Sequence, residues 1–223
     1  MEQPMKRLRQ MMLWLLTLAV LLTVAVRVTT FHPDNVQPEL VTCPASAPTL
    51  QPGQDVSVMS WNVQYLAGTG YVFFYDLLDE SGPDERPSAE DIAITLDQVA
   101  DVIRAEQPDV VLVQELDDDA TRTDGDDQLA LLTAALGNAY PCSASAFYWD
   151  AAFVPHPRIM GSVGMKLSTI SRFQIKSATR YQLPRQPLDI VTRQFEFHRA
   201  ILETRLPVAG GEDLVLLNTH LDA

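Results

Sequence analysis

Residues 110–116 read VVLVQEL, and this stretch decides the fold class of the chain. Its near-continuous apolar run is typical of a β-strand that is covered on both faces. Upstream, Asp55–Val63 alternates apolar and polar residues, as a strand does. Ser88 and Asp91 form a capping box that begins a helix between the two strands. This helix is predicted to have about 17 residues, because apolar side chains recur at helical spacing at Ile92, Leu96, Val99 and Ile103.

The other predicted elements lie downstream of this first helix. Pro108 ends the helix, and a second helix is predicted near Asp126–Leu136. Met165–Ile175 is predicted to be a strand pair with a turn. His198–Pro207 and Leu214–His220 are predicted to pair as a hairpin across two glycines. Together these elements predict a mixed α/β class with antiparallel strands.

The composition describes a chain that can bury a sizeable core. Of its 223 residues, 47% are apolar and 20% are charged, which excludes a disordered, collagen-like or disulfide-scaffold protein. The formal net charge is -13, and beyond residue 27 it is -16, from 12 basic and 28 acidic residues. So acidic a surface repels phosphate backbones, which disfavours a general nucleic-acid coat protein. Compact phosphate substrates met through a bound cation remain compatible with this charge.

Residues 1–28 are predicted to be a membrane anchor or a signal segment. Met11–Val26 contains no charged residue, and its length approaches the roughly 17–20 residues that span a bilayer. The basic flank is expected to stay cytoplasmic, so the domain is expected on the extracytoplasmic side. This flank consists of Lys6, Arg7 and Arg9. The alternative is a protein that is secreted after signal cleavage near Thr23–Ala25.

Residues 29–54 are predicted to be a proline-rich linker, because they contain five prolines and little periodicity. Cys43 in this segment and Cys142 in the body are the two cysteines of the chain. In an oxidising compartment they can pair and clip the linker to the domain. They can equally be two free thiols, and the spacing does not decide between these alternatives. The sequence identifies no protein partner.

Three further stretches have both a structural and a functional interpretation. Asp117–Asp127 is rich in aspartate but fits no EF-hand frame, so a solvated acidic loop leading into a helix is favoured. Gly161 and Gly164 either allow close approach of a substrate or form a plain turn, and the turn is favoured. Phe147–Trp149 either stack on a substrate or pack in the core, and core packing is favoured.

Polar side chains interrupt apolar strands at three places. Asn62 follows Ser-Trp, Glu115 ends the VVLVQ strand, and His220 ends LVLLNT. A buried carboxylate without a partner costs several kcal/mol, so Glu115 requires a cation, a set of donors or water. Taken singly, each residue also has a structural interpretation. Glu115 can cap a helix or reach solvent, Asn62 can stitch a turn, and His220 can be a hydrogen-bonded core imidazole.

Five motifs occur in an order that resembles the endonuclease/exonuclease/phosphatase superfamily, which has the DNase I-like fold. They are MSWNVQ (59–64), PDVVLVQEL (108–116), SRFQI (171–175), HRAILETRL (198–206) and VLLNTHLDA (215–223). DNase I, bacterial sphingomyelinases and inositol polyphosphate 5-phosphatases belong to this superfamily. The resemblance covers about residues 55–223 and implies a four-layer α/β sandwich, in which two mainly antiparallel sheets are flanked by helices.

The resemblance also implies a metal-dependent phosphodiesterase or phosphatase. Glu115 is similar to the family's Mg²⁺ (or Mn²⁺) ligand, and Asn62 to the amide that supports the metal and the attacking water. Arg199 is similar to the arginine that contacts the phosphate, and His220 to the histidine that hydrogen-bonds the scissile phosphate. A hard cation on carboxylate oxygen neutralises charge at phosphorus. The implied substrate is a phosphate ester, in a lipid head-group, a small phosphodiester or a nucleic acid.

The sequence departs from this family in its last part. Members have a G-D-x-N strand end and a terminal S-D-H or D-H, and neither occurs in this chain. Residues 55–223 are therefore expected to be a partial domain that lacks its C-terminal part and is inactive alone. Loss of a general base typically costs about 10²–10⁴-fold in rate. The alternative function is that of a non-catalytic truncated fragment or membrane-tethered binding module.

Overall fold

The computed structural model describes residues 2–221, which form three α-helices and two β-sheets. The helices are α1 (Glu2–Thr29), α2 (Ala89–Glu106) and α3 (Gln128–Leu136). The strands are β1 (Val36–Glu39), β2 (Val41–Thr42), β3 (Val58–Asn62), β4 (Val110–Asp117), β5 (Cys142–Val154), β6 (Gly161–Ser171), β7 (Ser177–Gln182), β8 (Ala200–Leu206) and β9 (Leu214–Thr219).

A five-stranded sheet in the order β2-β5-β6-β4-β3 forms the middle of the domain. β3 and β4 run parallel, and the other neighbours are antiparallel. Val111 and Val113 of β4 share an apolar cluster with Ile103 of α2 and Leu132 of α3. Leu112 belongs to the cluster on the opposite face. The VVLVQ strand is therefore covered on both faces, which confirms the prediction from its sequence.

The second sheet has four antiparallel strands in the order β1-β7-β8-β9. Ala178, Leu202 and Leu206 from its inner face join Leu112 and Leu167 of the five-stranded sheet in one apolar cluster. The predicted class is confirmed, since the domain is a mixed α/β sandwich of two mainly antiparallel sheets with helices. α2 and α3 both pack on the five-stranded sheet, so residues 2–221 show one of the two helix layers of the implied four-layer sandwich.

The two body helices begin at side-chain caps. Ser88 Oγ accepts the backbone N–H of Asp91 at 3.1 Å at the start of α2, which is one of the two hydrogen bonds of the predicted capping box. The backbone N–H of Ser88 donates to the Tyr71 hydroxyl and not to Asp91. Asp127 accepts the backbone N–H groups of Leu129 and Ala130 at the start of α3. α2 ends where Gln107 adopts the left-handed conformation, directly before Pro108. These caps satisfy backbone donors that have no partner inside a helix.

The middle strands differ from their prediction. The prediction of a strand pair for Met165–Ile175 is wrong, because β6 continues as a single strand to Ser171. Residues 172–176 then connect β6 to β7. β6 instead pairs with β4 on one side and with β5 on the other. β5 is not predicted, because the alternation in CSASA (142–146) is weak between alanine and serine. The predicted hairpin is confirmed, since β8 and β9 pair from Ile201–Thr219 to Leu206–Leu214.

Residues 29–54 are extended, as their prolines predict, but two short stretches pair as strands. β1 adds to the edge of the four-stranded sheet through β7, and β2 adds to the five-stranded sheet through β5. Cys43 and Cys142 form a disulfide that ties this segment to the start of β5. Of the two alternatives for the cysteines, the structure has the pair. The proline-rich segment therefore contributes a strand to each sheet.

The acidic stretch 117–127 is solvated only in part. Asp119, Asp124 and Asp126 are exposed and the stretch leads into α3, as expected, but the expectation is wrong for Asp117. Asp117 is fully buried and accepts from Arg122 at 2.7 and 2.8 Å. Buried Lys166 of β6 pairs with Asp118 at 2.9 Å and with Asp127 at 2.7 Å. The carboxylates are held here because two buried cations require them as partners.

The glycines of β6 serve this loop rather than a turn. Gly161 and Gly164 both lie within the strand, so the favoured interpretation as a plain turn is wrong. A Cβ on Gly164 would clash with the backbone oxygen of Asp118, and one on Gly161 would clash with Thr121. The absence of side chains lets the loop that follows β4 pack directly on β6.

The N-terminal helix projects its apolar side chains outward. Met5–Thr29 is long and apolar enough to cross a membrane, and none of its most apolar window is buried. A signal sequence near the N-terminus passes the same test. Thr30, directly after α1, pairs with Ala151 of β5 and connects the helix to the domain.

Candidate active site

Four side chains that the sequence analysis singles out lie together. Asn62 ends β3, Glu115 lies within β4, Arg199 precedes β8 and His220 follows β9. Glu115 Oε1 accepts from Asn62 Nδ2 at 2.7 Å and lies 2.9 Å from His220 Nε2. Arg199 Nη1 lies 2.5 Å from His220 Nδ1. These four residues, which we call the polar cluster, come from four separate segments of the chain.

The backbone of β4 directs Glu115 toward this cluster. The register with β6 shifts between Gln114 and Leu116, which marks a β-bulge, and Glu115 has a φ of 64°. Gln114 and Leu116 are buried, whereas the side chain of Glu115 is 15% exposed. A bulge turns one side chain out of the regular alternation of a strand. It therefore explains how a carboxylate leaves a core strand and reaches Asn62 and His220.

The hydrogen-bond partners define the orientation of the amide and the tautomer of the imidazole. Asn62 Oδ1 accepts the backbone N–H of Gln64 at 2.9 Å, so Nδ2 is the donor to Glu115. Arg199 can only donate, so His220 Nδ1 accepts and the ring proton lies on Nε2. This Nε2–H donates to Glu115 Oε1. The 3.0 Å contact between Asn62 Nδ2 and His220 Nε2 joins two donors that share this acceptor.

Glu115 is held in its ionised form. Burial alone raises the pKa of its carboxyl group, but hydrogen bonds from His220 and Asn62 outweigh burial, and the charge of Arg122 acts in the same direction. The pKa of Glu115 therefore lies below its ordinary value. Arg122 is itself fixed by buried Asp117 and lies 3.6 Å from the centre of the Tyr65 ring. The sequence analysis did not identify Arg122 as a neighbour of the site.

Aromatic rings support the imidazole and the guanidinium. The ring of Tyr148 is stacked on His220, with centroids 5.7 Å apart and planes 7° apart. Arg199 lies 4.2 Å from the centre of the Phe197 ring and 5.3 Å from that of Tyr148. Tyr148 is 1% exposed, so core packing describes it better than stacking on a substrate. Its position beneath His220 makes it a supporting residue of the site.

A buried pair of amides connects the two sheets directly behind the polar cluster. Gln114 Nε2 donates to Asn218 Oδ1 at 2.6 Å, and Asn218 Nδ2 donates to the carbonyls of Val113 and Ser168 at 3.0 and 2.9 Å. Gln114 is the neighbour of Glu115, and Asn218 lies two residues before His220. The pair therefore fixes β9 against β4 near both site residues. In the sequence, Gln114 and Asn218 are also polar residues inside apolar strands, but in these two strands only Glu115 and His220 were predicted to be site residues.

A cleft lies next to Arg122, and none of the four residues of the polar cluster lines it. Arg122, whose charge acts on Glu115, forms part of its wall. The other aromatic and basic residues of the wall are Phe74, Tyr75, Trp149, Arg86 and Arg158. Trp149 therefore lines the cleft, and its ring also packs against that of Phe197, with the ring centroids 4.8 Å apart. Unlike Tyr148, it is only partly buried.

The donor set suits a hard divalent cation held by few protein ligands. Glu115 is an ionised carboxylate, whereas Asn62 presents nitrogen to it and has its oxygen engaged by Gln64. In residues 2–221 no group of three or more His, Cys, Asp or Glu side chains is placed to hold a metal. Mg²⁺ keeps several waters and is commonly bound through one or two carboxylates. Glu115 alone is therefore compatible with Mg²⁺ or Mn²⁺, and direct coordination by Asn62 requires its amide to rotate.

Comparison with known families gives one match over most of the chain. The model of the Endonuclease/Exonuclease/phosphatase family matches residues 59–216, a span that contains Asn62, Glu115 and Arg199. No curated protein matches the sequence significantly.

Several solved structures are similar to this chain. An endonuclease/exonuclease/phosphatase from Beutenbergia cavernae is 26% identical over 74% of this chain and 38% of its own, with a TM-score of 0.47. TDP2 from Caenorhabditis elegans is 18% identical over 78% and 37%, with a TM-score of 0.42. A family protein from Leptotrichia buccalis is 13% identical over 75% and 55%, with a TM-score of 0.47. The chain thus spans 37–55% of the length of these three proteins.

Proposed function

The chain belongs to the endonuclease/exonuclease/phosphatase family, and from this premise we propose that its polar cluster serves metal-dependent hydrolysis of a phosphate ester. The supporting observation is the convergence of Asn62, Glu115, Arg199 and His220 through contacts of 2.5–3.0 Å. Folding alone does not require a carboxylate, a guanidinium and an imidazole from distant segments to meet. Binding a cation next to a phosphate does require these three groups together.

We assign the cation to Glu115. Its low pKa keeps the carboxylate ionised at neutral pH, and the hydrogen bond from Asn62 fixes its orientation. A bound Mg²⁺ or Mn²⁺ supplies charge neutralisation at the phosphate and lowers the pKa of a water molecule. Asn62 acts as a positioning residue for this carboxylate. Tyr148 and the Gln114–Asn218 pair hold the elements that carry the cluster.

We assign the phosphate to Arg199 and His220. The Nε2–H of His220, which Glu115 accepts here, is the donor to a non-bridging phosphate oxygen. Arg199 fixes the tautomer of this imidazole by donating to Nδ1, and its charge favours the anionic ester. The aromatic rings of Phe197 and Tyr148 beneath Arg199 keep its plane in place.

The proposed substrate is a small phosphodiester or a lipid head-group, in preference to duplex DNA. Beyond residue 27 the chain carries a charge of -16, which repels a long phosphate backbone but acts less on a single phosphate beside a cation. A membrane tether through α1 places the site near lipid head-groups, with the domain on the extracytoplasmic side. This localisation belongs to the proposal.

The test measures cation binding and turnover in parallel. Mn²⁺ binding is followed by the electron paramagnetic resonance signal of the free ion, and turnover by hydrolysis of bis(p-nitrophenyl) phosphate with Mg²⁺ or Mn²⁺. Glu115→Gln is expected to weaken Mn²⁺ binding by about 10²-fold, because the ligand loses its charge. Glu106→Gln is the matched control, since this exposed residue at the end of α2 has no part in the cluster.

The two measurements distinguish the proposed functions. Turnover that requires the cation and Glu115 supports a phosphohydrolase. Mn²⁺ binding without turnover supports the alternative of a non-catalytic binding module. Equal Mn²⁺ binding by the Glu115→Gln and Glu106→Gln variants would refute the assignment of Glu115.

A further inference from the structure

A second group of basic side chains lies where the end of α1 meets the four-stranded sheet. Its centre is Arg180 of β7, which is fully buried. Arg180 Nε donates to the Phe147 carbonyl at 2.8 Å, and Nη2 donates to the His198 carbonyl at 2.7 Å and to Gln182 at 2.9 Å. Its remaining nitrogen, Nη1, is buried and has no hydrogen-bond partner.

Two further arginines join it from the segment between β7 and β8. Nη2 of Arg185 lies 2.9 Å from His198 Nε2 and donates to the carbonyl of Arg193. The Nε atoms of both Arg185 and Arg193 are buried without a partner. We call Arg180, Arg185, Arg193 and His198 the arginine cluster. It contains three of the five unpartnered buried side-chain polar atoms found in residues 2–221.

The arginine cluster has no paired counter-charge. None of its three arginines forms an ion pair within 4.0 Å in the described part of the chain, and Glu39 acts on Arg180 only from a longer distance. Burial and the neighbouring charge of Arg193 lower the pKa of Arg185. A buried cation normally has an anionic partner, because its desolvation otherwise costs several kcal/mol.

The same protein shows how it treats buried cations elsewhere. Arg122 is paired with Asp117 at 2.7 Å, and Lys166 is paired with both Asp118 and Asp127. Although the chain is strongly acidic, no carboxylate of residues 2–221 forms an ion pair with the three arginines of the cluster. The described part of the chain therefore leaves these guanidinium groups without an anionic partner.

We propose that the arginine cluster binds a phosphate group. Guanidinium groups match tetrahedral oxyanions, because their N–H donors form parallel hydrogen bonds to two oxygens. Each of the three guanidinium groups has one buried nitrogen whose N–H has no hydrogen-bond partner in residues 2–221. This site is separate from the polar cluster and does not depend on the function proposed for it.

The surroundings favour the phosphate of a lipid head-group as the source. Phe31, two residues after α1, packs against His198 and lies under Arg180 at 5.4 Å. The segment that carries Arg185 and Arg193 also exposes Ile190 and Val191, at 74% and 64%. Exposed aliphatic side chains beside arginines are typical of a surface that contacts a bilayer interface. Free phosphate has the same chemistry, and the experiment separates the two sources.

The experiment follows thermal unfolding of the full chain in detergent micelles while inorganic phosphate replaces chloride at constant ionic strength. We expect the melting temperature to rise with phosphate concentration, because a ligand that binds only the folded state stabilises it. The variant R185Q/R193Q should raise the dissociation constant for phosphate at least tenfold. R104Q/K176Q is the matched control, because it removes the same charge from two exposed basic residues and should keep the full response.

Two arms in lipid nanodiscs identify the source of the phosphate. In discs of phosphatidylcholine with phosphatidic acid, the wild type should melt higher than in phosphatidylcholine alone, and added inorganic phosphate should then have no further effect. If phosphate stabilises the protein equally in both kinds of disc, the cluster binds free phosphate. No response of the wild type, or an equal response of R185Q/R193Q and R104Q/K176Q, overturns the proposal. Where the double variant does not fold, the single variant R193Q is compared with the wild type by the line broadening that each causes in the ³¹P resonance of phosphate. Less broadening by R193Q supports the proposal, and equal broadening contradicts it.

Discussion

Glu115 occupies a backbone conformation that non-glycine residues rarely adopt, with a φ of 64° within a strand. Such a conformation costs an L-residue about 1–2 kcal/mol. The hydrogen bonds that Glu115 accepts from Asn62 and His220, which the bulge makes possible, offset this conformational cost. Backbone strain that persists in this way is common at functional sites.

This strain predicts an unusual order of stability for two variants. Both Glu115→Gly and Glu115→Ala remove the carboxylate, so their difference reports the backbone alone. Glycine should be more stable than alanine by about 1 kcal/mol, because it adopts positive φ without penalty. At Glu203 of β8, which lacks a positive φ, alanine should be the more stable. Urea unfolding measures both differences, and the same order at both positions would contradict the assigned strain.

His198 predicts a pH dependence of stability. Burial, followed by the charges of Arg185 and Arg180, lowers its pKa from 6.5 to about 4. As the pH falls from 6.5 toward 4, the unfolded chain binds a proton at His198 that the folded chain does not. The free energy of unfolding therefore decreases over this window and is fully retained only above it.

The His198→Asn variant removes this titration while leaving an acceptor for Arg185. Urea unfolding in phosphate-free buffer at pH 7 and pH 5 should show a smaller loss of stability for the variant than for the wild type. The comparison is a difference between two pH responses, so a uniform destabilisation by the substitution cancels. Identical pH responses would show that His198 is not held neutral.

Asn62, Glu115 and His220 were singled out in the sequence because each interrupts an apolar run, which requires a chemical reason. Arg199 was identified only through the resemblance to the family. Tyr148 was not predictable as a support for His220, since an aromatic residue on a strand has the same sequence signal wherever it packs. Arg185 and Arg193 were missed for a different reason. Nothing in a sequence shows that two partly buried arginines of a loop have no carboxylate partner among residues 2–221.

Among the strands, β2 has the shortest pairing with its neighbour and is expected to contribute the least stability by itself. It pairs with β5 over only Val41–Ala144 and Thr42–Ser143, and the disulfide from Cys43 to Cys142 lies directly beside this pairing. A short pair of strands is marginal without further support. The disulfide closes a loop with a sequence separation of 99 residues. In the chain-entropy description such a loop contributes up to about 5 kcal/mol through the unfolded state.

The Cys43→Ser/Cys142→Ser variant should therefore lower the free energy of unfolding by about 2–5 kcal/mol. Reduction of the wild type should lower it by a similar amount, whereas the variant should not respond to the reductant. Urea unfolding with and without dithiothreitol measures both effects. A wild type whose stability is unchanged by reduction would show that the bridge adds nothing to the attachment of β2.

Longer elements were predicted better than short ones. α2 has a capped start at Ser88, four apolar positions at helical spacing and a proline after its end, so several independent signals agree. β1 contains Pro38 and is only four residues long. Its pairing with β7 depends on a strand more than 130 positions later in the chain. Local sequence contains no information on such a partner.

At the scale of the whole molecule, the charge distribution and the disulfide are both compatible with the extracytoplasmic localisation that we propose. Three basic residues precede the apolar part of α1, and the body after residue 27 carries a charge of -16. In the proposed topology the basic flank stays in the cytoplasm and the body is exported. An exported body would meet oxidising conditions, which favour the bridge between Cys43 and Cys142, whereas cytosolic thiols are kept reduced.

The redox state of the two cysteines in cells therefore reports orientation. Thiol alkylation followed by gel electrophoresis should find the wild type oxidised. Replacing Lys6, Arg7 and Arg9 with Gln weakens the orientation signal, so a reduced fraction should appear. Replacing Arg86, Arg104 and Arg172 with Gln makes the same change in charge outside the flank and should leave the protein oxidised. A fully reduced wild type, or equal oxidation of both variants, would contradict the assigned topology, because cysteines on the cytoplasmic side have no access to the oxidising compartment.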